Sequence, residues 1–292
     1  MRILVSFCNN YRPDTARLGI LDTSGHFERL SIWPFDDRCS TATGLALSDD
    51  HIFVSAVMGS TFGPQALLIT LRRSDFHVQH VHAFQTGIDI HSIVWRAGEI
   101  HAVSTGTDEV VRLRVPHGSV LDETVVWRPD PSATRADHHH LNGLAVAGSH
   151  LIVSGFGRKA GELWQSARRG FIFGTDGHLL AAELEQPHSV TVVDGEVLFC
   201  ESRKTTVRDL TGRRMTTLPG YTRGIAVAGG SIYAACSVGR RSSRSTGIES
   251  AGDPGEPHGK CAISRLNAST FVVEELFDLT AHGDEIYDLL TL

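Results

Sequence analysis

Apolar positions along the chain come in short, often β-branched runs bounded by Gly, Asp and Ser, with hardly any amphipathic helical spacing. That pattern predicts strands from end to end. Aligned on a small residue, five runs form one series: TGLALSDD from Thr43, HSIVWRAG from His91, NGLAVAGS from Asn142, HSVTVVDG from His188 and RGIAVAGG from Arg223. Each reads as a polar residue, Gly or Ser, an apolar strand and a tight turn. A second strand follows in every case: HIFVSAV, EIHAVSTG, HLIVSGFG, EVLFCESR and SIYAACSV. Two more complete each unit, as TTVRDLTG and RRMTTLPG do in the fourth.

The spacing of the units, about 35 to 60 residues, suits four-stranded propeller blades. Five whole units leave one strand at the C-terminus, EIYDLLTL, and three at the N-terminus. Joining them makes a sixth blade with the C-terminal strand innermost, which hides the edges an open sheet would expose. The expectation is an all-β, six-bladed β-propeller forming a single domain over residues 1–292. Two segments interrupt the rhythm. GFGRKAGELWQSARRG breaks the third unit, and SGFGR at its start is expected to be a strand end plus a lid over the channel, with Arg158 or Lys159 near the mouth. The Gly-, Ser- and Arg-rich stretch at 239–260 in the fifth is expected to be a surface loop.

In a propeller the first strand of each blade lines the axis, so equal positions in different blades form rings. One ring is expected to hold Thr43, His91, Asn142, His188, Arg223 and Glu285. Two residues earlier lie Thr41, Asp89, His140, Gln186, Tyr221 and Gly283, with His282 beside them. The triplet His138–His140 thus falls at the channel mouth, with His139 turned away from the lining by strand alternation. Burying imidazoles, a carboxylate, an amide and a guanidinium costs several kcal/mol unless they are paired, hydrated or bound to something. The inner ring is therefore the candidate site.

Composition narrows the alternatives. A net charge of −6 and few aromatics argue against a nucleic-acid partner. No apolar stretch reaches the length of a membrane span and no secretory leader is apparent, so no membrane association is expected. Five cysteines without CxxC spacing read as reduced thiols of a cytoplasmic protein. Trp95, Trp127 and Trp164 read as blade packing, and no phosphate loop or nucleophile elbow is present.

The segments HLNGLAV, PHSVTV and PGYTRGIAV, followed by CSVGR and a closing GDEIYDL, resemble a bacterial propeller family recorded as a domain of unknown function. The resemblance covers the chain from His140 onward and supports the fold and the ring without naming a reaction. The architecture is more loosely similar to the SMP-30/gluconolactonase and strictosidine-synthase-like propellers. Lactonases of that group hold a divalent cation with Glu, Asn and Asp from different blades. By that similarity Glu285 and Asn142 take comparable places, with His where further acids would be expected.

Two functions follow as expectations. The first is a small-molecule enzyme at the channel mouth, a metal-dependent hydrolase or lyase acting on a polar anionic metabolite of bacterial specialised metabolism. Isomerase or non-haem iron oxygenase chemistry is also compatible. His91, His188 and Glu285, assisted by Asn142, would hold a divalent ion (Ca, Mn, Fe or Zn). His140 and Arg223 would be catalytic, and Asn142, Arg223, Tyr221, Asp89 and Arg158 would bind the substrate. The second is a non-catalytic propeller that binds a ligand or a partner protein through its loop face.

Overall fold

The computed structural model describes residues 1–8, 15–32, 39–59, 64–238 and 259–292. Their strands form six antiparallel four-stranded sheets. Five sheets run in chain order, starting from inner strands Cys39–Leu47, Ile90–Arg96, Leu141–Ala147, Pro187–Val193 and Tyr221–Ala228. The sixth joins the C-terminal strand Ile286–Thr291 to Arg2–Phe7, Leu18–Asp22 and Phe27–Arg29, with Leu4 opposite Leu290 and Val5 opposite Leu289. Each inner strand packs against the inner strand of the next blade, and the sixth returns to the first. The fold is an all-β six-bladed propeller with the expected closure. Among the described residues the helical elements are four short 3-10 turns, and no helix is long and apolar enough to cross a membrane.

The second strand of each blade is apolar on both sides because it is covered by neighbouring blades on both sides. His51–Met58 and Glu196–Glu201, for example, carry five consecutive buried residues each. The core is accordingly divided into six clusters, one in each cleft between adjacent blades. The outermost strands, such as Val273–Asp278, are largely exposed. The strands flanking the Arg-rich stretch, Ser231–Ser237 and Ala262–Asn267, pair within one sheet. Residues 239–258 of that stretch lie outside the described residues, as do 60–63 of the Pro-bearing turn.

A second repeat accompanies the first. In every blade a buried hydroxyl reaches a backbone carbonyl of the next blade's inner strand. Ser6 donates to Thr43 O (2.6 Å), Thr43 to Ile90 O (2.7 Å), Thr105 to Leu141 O, Ser202 to Thr222 O (2.6 Å) and Ser237 to Ile286 O (3.1 Å). Ser154 makes the longest contact, 3.5 Å to Pro187 O, because it also faces Asn142 Oδ1 at 3.2 Å. Inner strands lack a ladder partner on the axial side, so these hydroxyls satisfy carbonyls that would otherwise be left to the channel.

Candidate functional site

The hydroxyl contacts fix the register of the rings. In five blades the accepting carbonyls belong to Ile90, Leu141, Pro187, Thr222 and Ile286, the residues just before His91, Asn142, His188, Arg223 and Tyr287, whereas in the first blade the acceptor is Thr43 itself. Strand pairing agrees: Ser92, Gly143 and Asp288 stand at equivalent places after the bulge, opposite Val103, Ser154 and Ser6. The sixth blade is therefore shifted by two residues from the sequence expectation. The inner ring is Thr43, His91, Asn142, His188, Arg223 and Tyr287. Glu285, expected there, belongs to the mouth ring with Thr41, Asp89, His140, Gln186 and Tyr221. Gly283 leaves the ring, and His282 stacks instead on Phe27 (4.5 Å between centroids). The signal was in the sequence: DIHSIV at Asp89 and EIYDLL at Glu285 have the same pattern.

Bulges break each inner strand at this level, and a bulge re-aims the side chains around it. Three mouth residues at matching positions, Asp89, His140 and Gln186, have left-handed backbone (φ 53°, 52° and 57°). Such geometry is unfavourable for residues with a side chain and persists where surrounding contacts enforce it. For His140 the enforcing group is visible. Asp108, at the end of the 3-10 turn Thr105–Thr107, accepts from the amides of His138 (2.8 Å) and His139 (2.7 Å) and contacts His139 Nδ1 (3.0 Å). His139 is thereby held to blade 2 while His140 enters the mouth.

The side chains at the axis form a closed circuit of rings. Tyr221 meets His188 at 5.5 Å, His188 meets Phe156 at 5.0 Å, and Phe156 meets His140 at 4.7 Å. His140 meets His91 at 5.2 Å and His91 meets Tyr287 at 5.5 Å. The Arg223 guanidinium closes the circle, 5.3 Å from the Tyr287 ring and 4.9 Å from that of Tyr221. Blade 1 supplies only Thr41 and Thr43. Trp164, expected to pack within a blade, instead lies 4.5 Å from His140, and the Lys159 ammonium sits 4.9 Å from its ring centroid. Trp95 and Trp127 do pair with blade aromatics, Phe53 and Phe173. Arg158 is exposed, and its charge lowers the pKa of Asp130.

Two imidazoles of the circuit, buried His188 and half-buried His140, have legible tautomers. Ser202 gives its one proton to Thr222 O, so at 2.7 Å it must accept from His188 Nδ1–H. His140 Nδ1 lies 3.0 Å from the Asp137 carboxylate, which fixes its proton on the same nitrogen. In both rings Nε2 is then the basic atom. Burial pushes the His188 pKa well below 6.5, helped by Arg223, and lowers that of His140 against the opposing pull of Asp137. Both rings are neutral at neutral pH. Burial also holds the Tyr287 phenol well above its usual range, so it keeps its proton.

The expected metal ligands do not converge. His140 and Phe156 stand between His91 and His188 in the circuit. Glu285 is 3.3 Å from Arg223 Nη1 and accepts from the Cys8 thiol at 3.5 Å. Asn142 donates to His140 O and receives Ser154. Among the described residues no group of three or more His, Cys, Asp or Glu is placed to hold a metal ion. The donor set as arranged does not fit a divalent cation. Further polar contacts join Asp89 Oδ2 to His91 Nε2 (3.3 Å) and Tyr221 Oη to Gln186 Oε1 (2.8 Å).

Among solved structures, a chain of the nidogen/laminin complex superposes with a TM-score of 0.63 at 11% identity, covering 99% of this chain and 97% of that one. A 6-phosphogluconolactonase candidate from Bacteroides fragilis gives 0.56 at 13% identity, covering 100% and 97%. An oxidoreductase (glucose dehydrogenase) candidate from Thermus thermophilus gives 0.52 at 14%, covering 76% and 85%. At these identities the likeness is one of fold. No curated protein matches the sequence significantly. The family model described as a domain of unknown function, DUF4915, matches residues 15–292 and so takes in the N-terminal blades as well as the segments from His140 onward. The chain belongs to the DUF4915 family.

Proposed function

We propose that the protein is an enzyme that acts on a small polar molecule at the channel mouth by general acid–base catalysis, as a hydrolase or lyase. The observation that carries this reading is the Asp137–His140 pair. The carboxylate holds the proton on Nδ1, burial keeps the ring neutral, and Nε2 is left as a base. Nε2 takes a proton from water in a hydrolysis, or from carbon in an elimination. His188 is a second neutral imidazole, held by Ser202. Arg223, kept between the two tyrosine rings, is the donor for negative charge that develops on the substrate. The lactonase and dehydrogenase candidates of the same fold show only that this architecture is compatible with small-molecule chemistry. No step is routed through a metal ion, because the donors do not form a cradle for one.

The test is turnover of a panel of esters, lactones and β-substituted carbonyl compounds by the purified protein and by His140→Asn. A fall of about 10²- to 10⁴-fold in the variant is expected, with activity that survives chelation and an acid limb below pH 6.5. Equal rates in the two proteins would remove His140 as the base. Ligand binding without turnover would place the protein with the non-catalytic propellers.

A further inference from the structure

We infer that the cleft between blades 2 and 3 is a second ligand site, separate from the channel, and that it takes an organic carboxylate with an apolar body. The cleft has a volume of about 470 Å³, a size that suits a small molecule. Blade 2 lines it with Arg96, His101 and the strand end Val126–Trp127. Blade 3 adds Leu151 and the turns at Ser149–His150 and Thr175–Asp176, which lie at the end of the blade remote from His140. No residue of the ring circuit is among those lining it.

The argument starts from His101. Its side chain is only 9% exposed, yet neither ring nitrogen is hydrogen-bonded. Nδ1 is buried without a partner, and Nε2 lies 3.9 Å from Glu99 Oε2, beyond hydrogen-bond reach. Glu99 is shared with Arg112, whose Nη1 is 3.7 Å away. Buried polar atoms are nearly always satisfied, so an imidazole left bare at the wall of a cleft marks a place for a ligand's polar group. Burial lowers the pKa of this ring, and a neutral imidazole offers one N–H donor.

The second step is charge. Arg96, half-buried at the end of the strand Ile90–Arg96, lines the same cleft and lies near enough to His101 to lower its pKa. Among the described residues its guanidinium has neither an ion-pair partner nor a hydrogen bond. Asp176, the carboxylate of the cleft, is already engaged. It accepts from the His178 amide (3.2 Å) and faces His178 Nδ1 (3.2 Å) and His150 Nδ1 (3.7 Å). One uncommitted guanidinium beside one N–H donor matches a carboxylate, which the planar fork of arginine binds through both oxygens. Thr175 Oγ1 accepts from Leu151 N (3.1 Å), which leaves its proton to donate as well. A phosphate dianion would instead bring a second negative charge next to Asp176.

The third step is the wall. Trp127 pairs with Val110 but Val125 with Val111, so Val126 is the extra residue of a bulge. The bulge breaks the strand's alternation and brings both Val126, 44% exposed, and Trp127 to the cleft. With Leu151 of blade 3 they make an apolar wall beside the polar pair. A carboxylate on a hydrocarbon or aromatic body places its charge on Arg96 and covers that wall.

Calorimetry and histidine NMR of the whole protein with benzoate, benzamide, acetate and inorganic phosphate test the inference. Benzoate is expected to bind at least tenfold more tightly than benzamide, which keeps the body and lacks the charge. The same margin is expected over acetate, which keeps the charge and lacks the body. Bound benzoate is expected to raise the His101 pKa, because a neighbouring anion favours the imidazolium. Arg96→Gln, checked for an unchanged melting profile, is expected to lose at least tenfold in benzoate affinity. His140→Asn is expected to bind benzoate as the wild type does, whatever becomes of turnover in the channel. No saturable benzoate binding, equal binding of benzamide, tighter binding of inorganic phosphate or an unmoved His101 pKa would overturn the inference. Full affinity in Arg96→Gln, or affinity lost in His140→Asn, would do the same.

Discussion

Two sets of polar side chains encircle the same axis, and they differ in what they are bonded to. The hydroxyl set, Ser6, Thr43, Thr105, Ser154, Ser202 and Ser237, is buried, and each member reaches a carbonyl of the next blade. The ring circuit is nearly as buried, yet it includes His91 Nδ1 and Tyr287 Oη with no partner and mouth residues in left-handed backbone. Burial of polar groups therefore does not by itself mark function. Incomplete satisfaction and local strain, found together, do so better. Changes in the first set should cost stability, whereas changes in the second should cost little or even help.

The largest expected effect belongs to a residue that fits neither set. Asp288 occupies the position held by Gly or Ser in the other blades and accepts from Leu45 N and Leu289 N, both at 2.9 Å. Burial outweighs those bonds and raises its pKa from 3.8 to about 7. A carboxyl raised on folding binds its proton more tightly in the folded state. Its contribution is fully present below the unfolded value and is lost as pH climbs from about 4 through 7. At one pKa unit per about 1.36 kcal/mol, the wild type is expected to lose about 4 kcal/mol over that window relative to Asp288→Asn. Chemical denaturation across pH 4–8 measures the slope. An identical slope in the variant would show that Asp288 is not the group responsible. His140 and His188 act oppositely: their lowered pKa values make stability fall as pH drops below 6.5. His188→Asn is expected to flatten that acid limb.

Ser202→Ala comes next. The hydroxyl serves two buried partners, Thr222 O and His188 Nδ1. Its removal leaves a carbonyl unmatched, at about 2 kcal/mol, or roughly 5 °C in melting temperature for a protein of this size. The same change also loosens the His188 tautomer, which nitrogen-detected NMR of the imidazole reads directly. An unaltered melting temperature would mean that the hydroxyl contacts do not hold the blades together.

How much of this is legible in the sequence depends on how faithfully each blade repeats. Polar residue, Gly or Ser, apolar strand: that pattern places His91, Asn142, His188 and Arg223 in one ring because all four blades keep it. The sixth blade breaks it, since Asp288 replaces the small residue that serves as the landmark, and alignment on that landmark puts the ring two residues early, at Glu285. Only part of the hydroxyl repeat is visible as a second-strand motif, in VSF and VSG with Ser6 and Ser154, because Thr43 of the inner strand and Thr105 supply it in the first two blades. Trp164 and Asp137 cannot be placed from sequence, because they sit in segments without strand periodicity that approach His140 only through the fold. The expected metal ligands part company for a related reason. A ring at one level does not specify which neighbours meet, and Arg223 takes Glu285 before any cation could.

The smallest effect is the one that distinguishes the two sets most sharply. Tyr287→Phe removes one oxygen from a buried side chain that keeps its ring contacts with His91 and Arg223. In the hydroxyl set such a deletion strands a partner. Here there is no partner to strand, and the variant sheds the desolvation cost of an unmatched hydroxyl, about 1 kcal/mol. The ligand-free variant is therefore expected to melt at or slightly above the wild-type temperature, the reverse of Ser202→Ala. Differential scanning fluorimetry reads the sign. A Tyr287→Phe variant destabilised as much as Ser202→Ala in the absence of ligand would place Tyr287 among the structural hydroxyls and erase the distinction drawn between the two sets.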